Sequence, residues 1–162
     1  MSRNFNTNTK NNGEWLTPQW LTTALGEFDL DPCSPINRPW PTATAHYTEL
    51  DNGLTLPWSG RVWCNPPYGK ETFVWLKKLA EHRNGIALIF ARTETKGFHS
   101  EVWNKADGVF FFEGRIKFHY VTGEPGDEAN APSCLVSYNE YNTRSIFTAE
   151  SKGLLRGVLI RL

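Results

Sequence analysis

"VWCNPPYGKETFVWLKKLAEHRNGIALIFA", residues 62–91, decides the fold. Its first residues, "GRVWCN" taken from 60 to 65, read as a strand. The stretch "GKETFVWLKKLAEHR" (69–83) reads as a helix, because Phe73, Leu76, Leu79 and Ala80 recur at helical spacing. "GIALIFA" (85–91) is an unbroken apolar run, the mark of a central parallel strand buried on both faces. Strand, turn, helix and strand in this order predict an α/β chain built on a mostly parallel sheet.

The flanks extend this pattern. "TPQWLTTALGEF" (17–28) predicts a short helix, with Thr17 as its cap, Pro18 in its first turn and Gly26 at its end. "FDLDP" predicts a short strand, "CSPINRPWPTAT" a proline-rich loop, and "AHYTEL" a further strand before the turn "DNG" at 51–53. Downstream, "GFHSEVWNKA" predicts a short helix, and "DGVFFFEG" and "RIKFHYV" predict strands. "GEPGDEANAP" reads as a polar loop. "SCLVSY" and "GVLIRL" are strands with a short helix or turn between them. The expectation is one domain over 13–162 after a flexible polar lead-in over 1–12, with an antiparallel strand near the C-terminus.

Composition narrows the function classes. Hydrophobic residues make up 40%, too many for a disordered chain. Seventeen Lys and Arg balance seventeen Asp and Glu, which argues against a binder that works by bulk phosphate neutralisation. Cys33, Cys64 and Cys134 are widely spaced and His46, His82, His99 and His119 have no ligand spacing, so no metal is expected. Cysteine use points to a reducing cytoplasm. There is no run near the ~18 apolar residues of a membrane span, and no apolar signal core.

The turn after the 60–65 strand carries the chemistry. In open α/β sheets, ligands sit beyond the carboxyl ends of the strands. Asn65, Pro66, Pro67 and Tyr68 occupy one such end, and "DLDPCS" another. An exocyclic amine on a planar ring, as in adenine, is a poor nucleophile because its lone pair is delocalised. Two acceptors holding its two N–H groups free that lone pair as nitrogen becomes tetrahedral. The Asn65 side-chain oxygen is one acceptor and the Pro66 carbonyl the other. Two prolines remove N–H groups and fix φ, keeping the carbonyl aimed. Tyr68 offers a face for the ring to stack on. The plainer reading is a stiff turn with a buried tyrosine; the strand-to-helix context favours the amine-holding one.

Six segments occur in a telling order: "EWLTP" (14–18), "FDLDPC" (28–33), "DNGL" with Trp58 (51–58), "VWCNPPYG" (62–69), "ARTET" (91–95) and "EGRIKF" (113–118). On these the chain resembles S-adenosylmethionine-dependent amino-methyltransferases, and most of all the small phage-encoded DNA adenine-N6 methyltransferases. The resemblance implies a Rossmann-like methyltransferase fold and transfer of methyl from S-adenosylmethionine to adenine N6. It further implies a phage protein in a bacterial host's cytoplasm that protects phage DNA from restriction. Trp15, Thr17 and Pro18 look like the segment over the cofactor's methionine end. Asp31, Pro32 and Cys33 fall on the first-strand motif, and Asp51 is a candidate acceptor for the cofactor's adenine or ribose. Asp-Pro and Asp-Asn-Gly are also ordinary turn chemistry. The Gly-x-Gly that many such enzymes carry after the first strand is absent.

Double-stranded DNA is the implied partner, with the target base flipped out of the stack. Phe118 is a candidate wall opposite Tyr68, or simply core. Arg92, Thr93, Arg115 and Lys117 are candidates for phosphate or base contacts, or solvated surface. With no separate recognition domain expected, loops 34–45 and 121–132 are left to select a short site. The same chemistry on RNA or a protein amide, and a non-catalytic nucleic-acid-binding domain, are the alternatives.

Overall fold

The structure is a computed structural model that describes residues 15–162; the lead-in expected over 1–12 lies outside the described residues. Among the described residues, four helices and nine strands follow in the order α1 (Gln19–Leu25), β1 (Leu30–Asp31), β2 (Ala45–His46), β3 (Val62–Cys64), α2 (Thr72–His82), β4 (Gly85–Phe90), α3 (Lys96–Phe98), β5 (Gly108–Phe112), β6 (Lys117–His119), β7 (Pro125–Glu128), β8 (Ser133–Tyr138), α4 (Glu140–Ser151) and β9 (Gly157–Arg161). A π-helical turn over His99–Trp103 prolongs α3.

Seven strands form one sheet in the order β2-β1-β3-β4-β8-β5-β9. β2, β1, β3 and β4 pair in parallel. β8 runs antiparallel between β4 and β5, so β5 shares their direction, and β9 pairs antiparallel with β5 at the edge. The α/β class and the mostly parallel sheet hold, and two C-terminal strands run antiparallel where the sequence suggested one.

Side chains alternate across the sheet, as a two-residue period requires. Val62 and Cys64 on β3, with Ala87 and Ile89 on β4, face the apolar side of α2 at Trp75, Leu76, Leu79 and Ala80. Trp63, Ile86 and Leu88 face the other way, towards Leu21 and Leu25 of α1 and Ile146 and Ala149 of α4. The helices therefore cover both faces, and β4 is the buried strand that the apolar run 85–91 predicts.

Helix is sparse on one half of the sheet. Neither the connection from β1 to β2 nor that from β2 to β3 contains a helix. The order of strands reverses at β1, whose two neighbours are β2 and β3, so the crevice beyond the ends of β1 and β3 is a topological switch point.

Several local expectations change. The strand over 45–50 shortens to Ala45–His46, because Asp51 accepts hydrogen bonds from Thr48 N at 2.8 Å and Thr48 Oγ1 at 3.2 Å and turns the chain. The polar loop 123–132 contains β7, a ribbon strand on β6; pairing overrides the poor strand propensity of Pro-Gly-Asp-Glu. The short helix or turn before β9 is a full helix, α4, capped by the Asn139 side chain accepting from Asn142 N at 3.0 Å. Its buried face carries only one large apolar residue, Ile146, beside Asn142, Thr143 and Ala149, so it shows little apolar periodicity. Thr17 does not cap α1: Pro18 stands at the N-cap and no side-chain bond is made there.

Candidate active site

Asn65 is the first residue beyond β3, and the turn it opens is pinned at both ends. Cys33 Sγ donates to the Asn65 carbonyl at 3.3 Å, and Thr72 Oγ1 donates to the Pro67 carbonyl at 2.7 Å. The Cys33 thiol is held in its protonated, donating form, pushed well above its ordinary pKa by the Cys64 thiol beside it and by burial. The Pro66 carbonyl accepts no hydrogen bond among the described residues, and neither does Asn65 Oδ1. Both acceptors that an amine would need are therefore left free. Asn65 Nδ2 donates to Thr17 Oγ1 at 3.3 Å.

This turn separates two cavities. The first, of about 390 Å³, is bounded by Pro32, Cys33, Ser34 and Pro35 after β1, by the loop from Thr48 to Leu54, and by Asn65, Pro66 and Pro67. It opens at the switch point between β1 and β3, and its volume falls within the usual range for small-molecule sites, about 300–1,000 Å³. The second, of about 230 Å³, is lined by Tyr68, Phe90 and Phe118 and by residues 127–130. Trp15 borders both.

The first cavity suits an adenosyl cofactor. It mixes apolar walls with polar ends at Thr48, Glu49, Asn52 and Glu71. Trp75 lines it, and the buried Trp75 indole N–H has no partner among the described residues, a donor awaiting an acceptor. Gly53 packs against the end of β1 so tightly that a Cβ there would lie 2.0 Å from the Pro32 oxygen. The glycine of the "DNG" turn thus lets the rim of this cavity close onto Pro32.

Tyr68 stacks on Phe90 with ring centroids 4.2 Å apart and meets Phe118 edge-on at 6.3 Å. Burial pushes its phenol well above the ordinary tyrosine range, so the ring stays neutral. Phe118 is 3% exposed and lines the second cavity, so it is both core and wall.

The remaining candidates divide. Trp15, Pro32 and Cys33 line the first cavity. Pro18 is buried at the start of α1. Asp31 is buried behind the cavity wall, where its carboxylate accepts from Cys33 N at 3.1 Å and from Thr42 Oγ1. Burial raises its pKa from 3.8 to about 6 against those bonds and the charge of Arg38. Asp51 is exposed and holds the turn at Thr48, while its neighbour Glu49 lines the cavity. Around the second cavity, the Arg92 guanidinium lies 5.7 Å from the Phe90 centroid, and Arg115 donates to the Ala129 carbonyl at 3.0 Å. Lys117 is exposed on β6, and the Thr93 carbonyl accepts from Trp103 Nε1 at 3.2 Å. Of the two loops expected to select a site, 127–130 reach the second cavity, whereas Ser34 and Pro35 line the first.

Sequence reasoning missed Phe90, Gly53, Glu49 and Trp75. Phe90 was hidden inside an apolar strand; the glycine of the "DNG" turn was the one available signal for the second. Among the described residues no group of three or more His, Cys, Asp or Glu could hold a metal ion, and no helix is long and apolar enough to cross a membrane.

The profile of a protein family described as DNA N-6-adenine-methyltransferase (Dam) matches residues 4–157. No curated protein and no solved structure matches the chain.

Proposed function

Since the chain belongs to the DNA N-6-adenine-methyltransferase (Dam) family, we propose that it methylates adenine N6 at a short site in double-stranded DNA, using S-adenosylmethionine and a flipped-out base. The observation that carries this reading is the pair of unoccupied acceptors, Asn65 Oδ1 and the Pro66 carbonyl, at the partition between two cavities. One cavity suits the donor and the other a flat aromatic ring. A Rossmann-like reading of the sheet belongs to the same proposal, because the donor cavity lies at the switch point.

S-adenosylmethionine, when bound, supplies an electrophilic methyl group. Trp15, Cys33, Glu49 and Trp75 are the side chains placed to hold it, with Asp31 bracing the Pro32–Cys33 floor and Asp51 the Thr48–Gly53 rim. The chain's own work is on the amine. Asn65 Oδ1 and the Pro66 carbonyl accept its two N–H groups, which favours a tetrahedral nitrogen and turns the lone pair to one side. The same acceptors stabilise positive charge developing on that nitrogen, without reorganising. Tyr68 and Phe118 enclose the ring and exclude water. Holding both partners in one geometry removes the entropy of a bimolecular encounter. With a net charge of zero, DNA contact falls to local cations such as Arg92, Arg115 and Lys117, which adjoin the lining residues Phe90, Ala129 and Glu128 of the second cavity.

The test is incubation of the full chain with methyl-labelled S-adenosylmethionine and unmethylated DNA, followed by nucleoside analysis. Label at adenine N6 is the expected result. Label in RNA or protein alone overturns the DNA assignment, and no label with no cofactor-induced thermal shift overturns the enzymatic one.

A further inference from the structure

Thr17 sits where two donors converge. Trp63 Nε1 lies 3.1 Å from Thr17 Oγ1, and Asn65 Nδ2 lies 3.3 Å from the same oxygen. An indole N–H only donates, so the Thr17 oxygen accepts from Trp63 and keeps one further lone pair and its own O–H proton. The Asn65 amide meets that lone pair with its nitrogen end. Thr17 is 3% exposed and Trp63 fully buried, so water does not compete for these bonds. The backbone of Thr17 is fixed as well, since its carbonyl accepts from Trp40 Nε1 at 2.9 Å.

An asparagine amide has two ends of opposite character. Only the Oδ1 end can accept from a substrate amine; the Nδ2 end would oppose its N–H groups. From this we infer that Thr17 is a positioning residue, whose oxygen, held in place by Trp63, anchors the Asn65 amide at Nδ2 and so leaves Oδ1 for the substrate. Thr17 then acts on the amine acceptor from the core, one residue ahead of Pro18 and α1. This inference rests on the methyl-transfer reading of the site.

The experiment compares wild type, Thr17→Val and Thr17→Ser by single-turnover methylation of DNA and by calorimetry with S-adenosylmethionine. Valine keeps the shape of threonine and removes the hydroxyl; serine keeps the hydroxyl. The expected result is a fall in rate with Thr17→Val that approaches about a hundredfold, the scale of a misplaced reacting group. Cofactor Kd stays unchanged and Thr17→Ser recovers most of the rate. In an Asn65→Ala background, Thr17→Val produces no further loss, since the group it orients is gone.

A Thr17→Val protein as fast as wild type overturns the inference. So does a weakened cofactor Kd with unchanged rate, which moves the hydroxyl's role to the cofactor. Equal loss in Thr17→Ser and Thr17→Val assigns the effect to packing and overturns it too. Should Thr17→Val not fold because Trp63 is left without an acceptor, the pair Thr17→Val with Trp63→Phe removes that orphan and is read in the same way. Wild type that fails to methylate DNA adenine would instead be the failure of the functional reading.

Discussion

Tyr68 and Phe90 lie face to face, with ring centroids 4.2 Å apart and planes inclined by 8°. The contact joins the turn after β3 to the last residue of β4, two neighbouring parallel strands. One face of Tyr68 is thus covered by protein, and a base entering the second cavity has only the other. Phe90 sets the plane on which that base would stack. Tyr68→Phe should keep most of kcat/KM, because the face and not the hydroxyl does the work. Tyr68→Ala should lose much more, and Phe90→Ala an intermediate amount. A double-mutant cycle in methylation kinetics should show the two coupled by about 0.5–1.5 kcal/mol. Equal damage from Tyr68→Phe and Tyr68→Ala would transfer the role to the hydroxyl.

In the proposed reaction Asn65 contributes an acceptor whose value appears only as the amine nitrogen gains charge. Asn65→Ala should therefore lower kcat by about 10²–10³-fold, the usual effect of removing one preorganised polar group, and leave cofactor affinity intact. Asn65→Asp should retain more activity than Asn65→Ala. A carboxylate still accepts from the amine, and the Thr17 hydroxyl can donate to it while accepting from Trp63. Rapid-quench kinetics with calorimetric cofactor titration separates the two effects. An alanine variant with unchanged turnover would remove Asn65 from the reaction.

The strand-turn-helix-strand around Asn65 was legible because each piece carries its own local signal: a β-branched run, a proline turn, helical periodicity and an apolar core strand. Those local signals alone place Asn65, Pro66 and Tyr68 at a strand end. What was illegible depends on contacts distant in sequence. Thr17 reads as a helix cap, and only the fold brings its hydroxyl to Trp63 and Asn65, 46 and 48 residues away. Asp31 reads as a ligand from its motif, yet its carboxylate is turned into the core towards Thr42. β7 has no strand propensity to read, and α4 presents polar residues to the interior because one of its partners is a charge, Arg61.

Arg61 is that buried charge, at 6% exposure. Its guanidinium donates to Asn142 Oδ1 at 2.7 Å, the Glu27 carbonyl at 2.9 Å and Ser145 Oγ at 2.9 Å, and it lies 4.1 Å from the centre of the Phe28 ring. It ties the start of β3 to α4 and to the end of α1. Arg61→Ala leaves three acceptors without their donor and opens a cavity, so unfolding free energy should fall by about 3–5 kcal/mol. For a chain of this size that corresponds to a loss of roughly 6–20 °C in Tm. Arg61→Lys should recover only part, since an ammonium cannot reproduce the planar fork. A Tm within a degree of wild type for Arg61→Ala would show that the network contributes nothing.

Asp31 gives a pH dependence whose sign follows from its environment. Burial raises its pKa from 3.8 to about 6 in the folded chain. Between those two values the native state holds a proton that the unfolded chain releases. The stability contributed is complete below about pH 4 and is lost as pH rises through about 6, a difference on the order of 3 kcal/mol for a shift of this size. Asp31→Asn removes the titration and keeps a group able to bond Cys33 N and Thr42. Relative to wild type, the variant should gain stability progressively from pH 4 to pH 7, measured by urea denaturation at each pH. The opposite trend, with wild type gaining on Asp31→Asn as pH rises, would mean that the fold favours the charged carboxylate. Above pH 6 the carboxylate is charged and costly to keep buried. The carboxylate is turned into the core towards Thr42 and does not line the cleft, so saturating cofactor should leave the gap between the two proteins at pH 7 unchanged. A gap that narrows with cofactor would instead bring the carboxylate within reach of the bound cation.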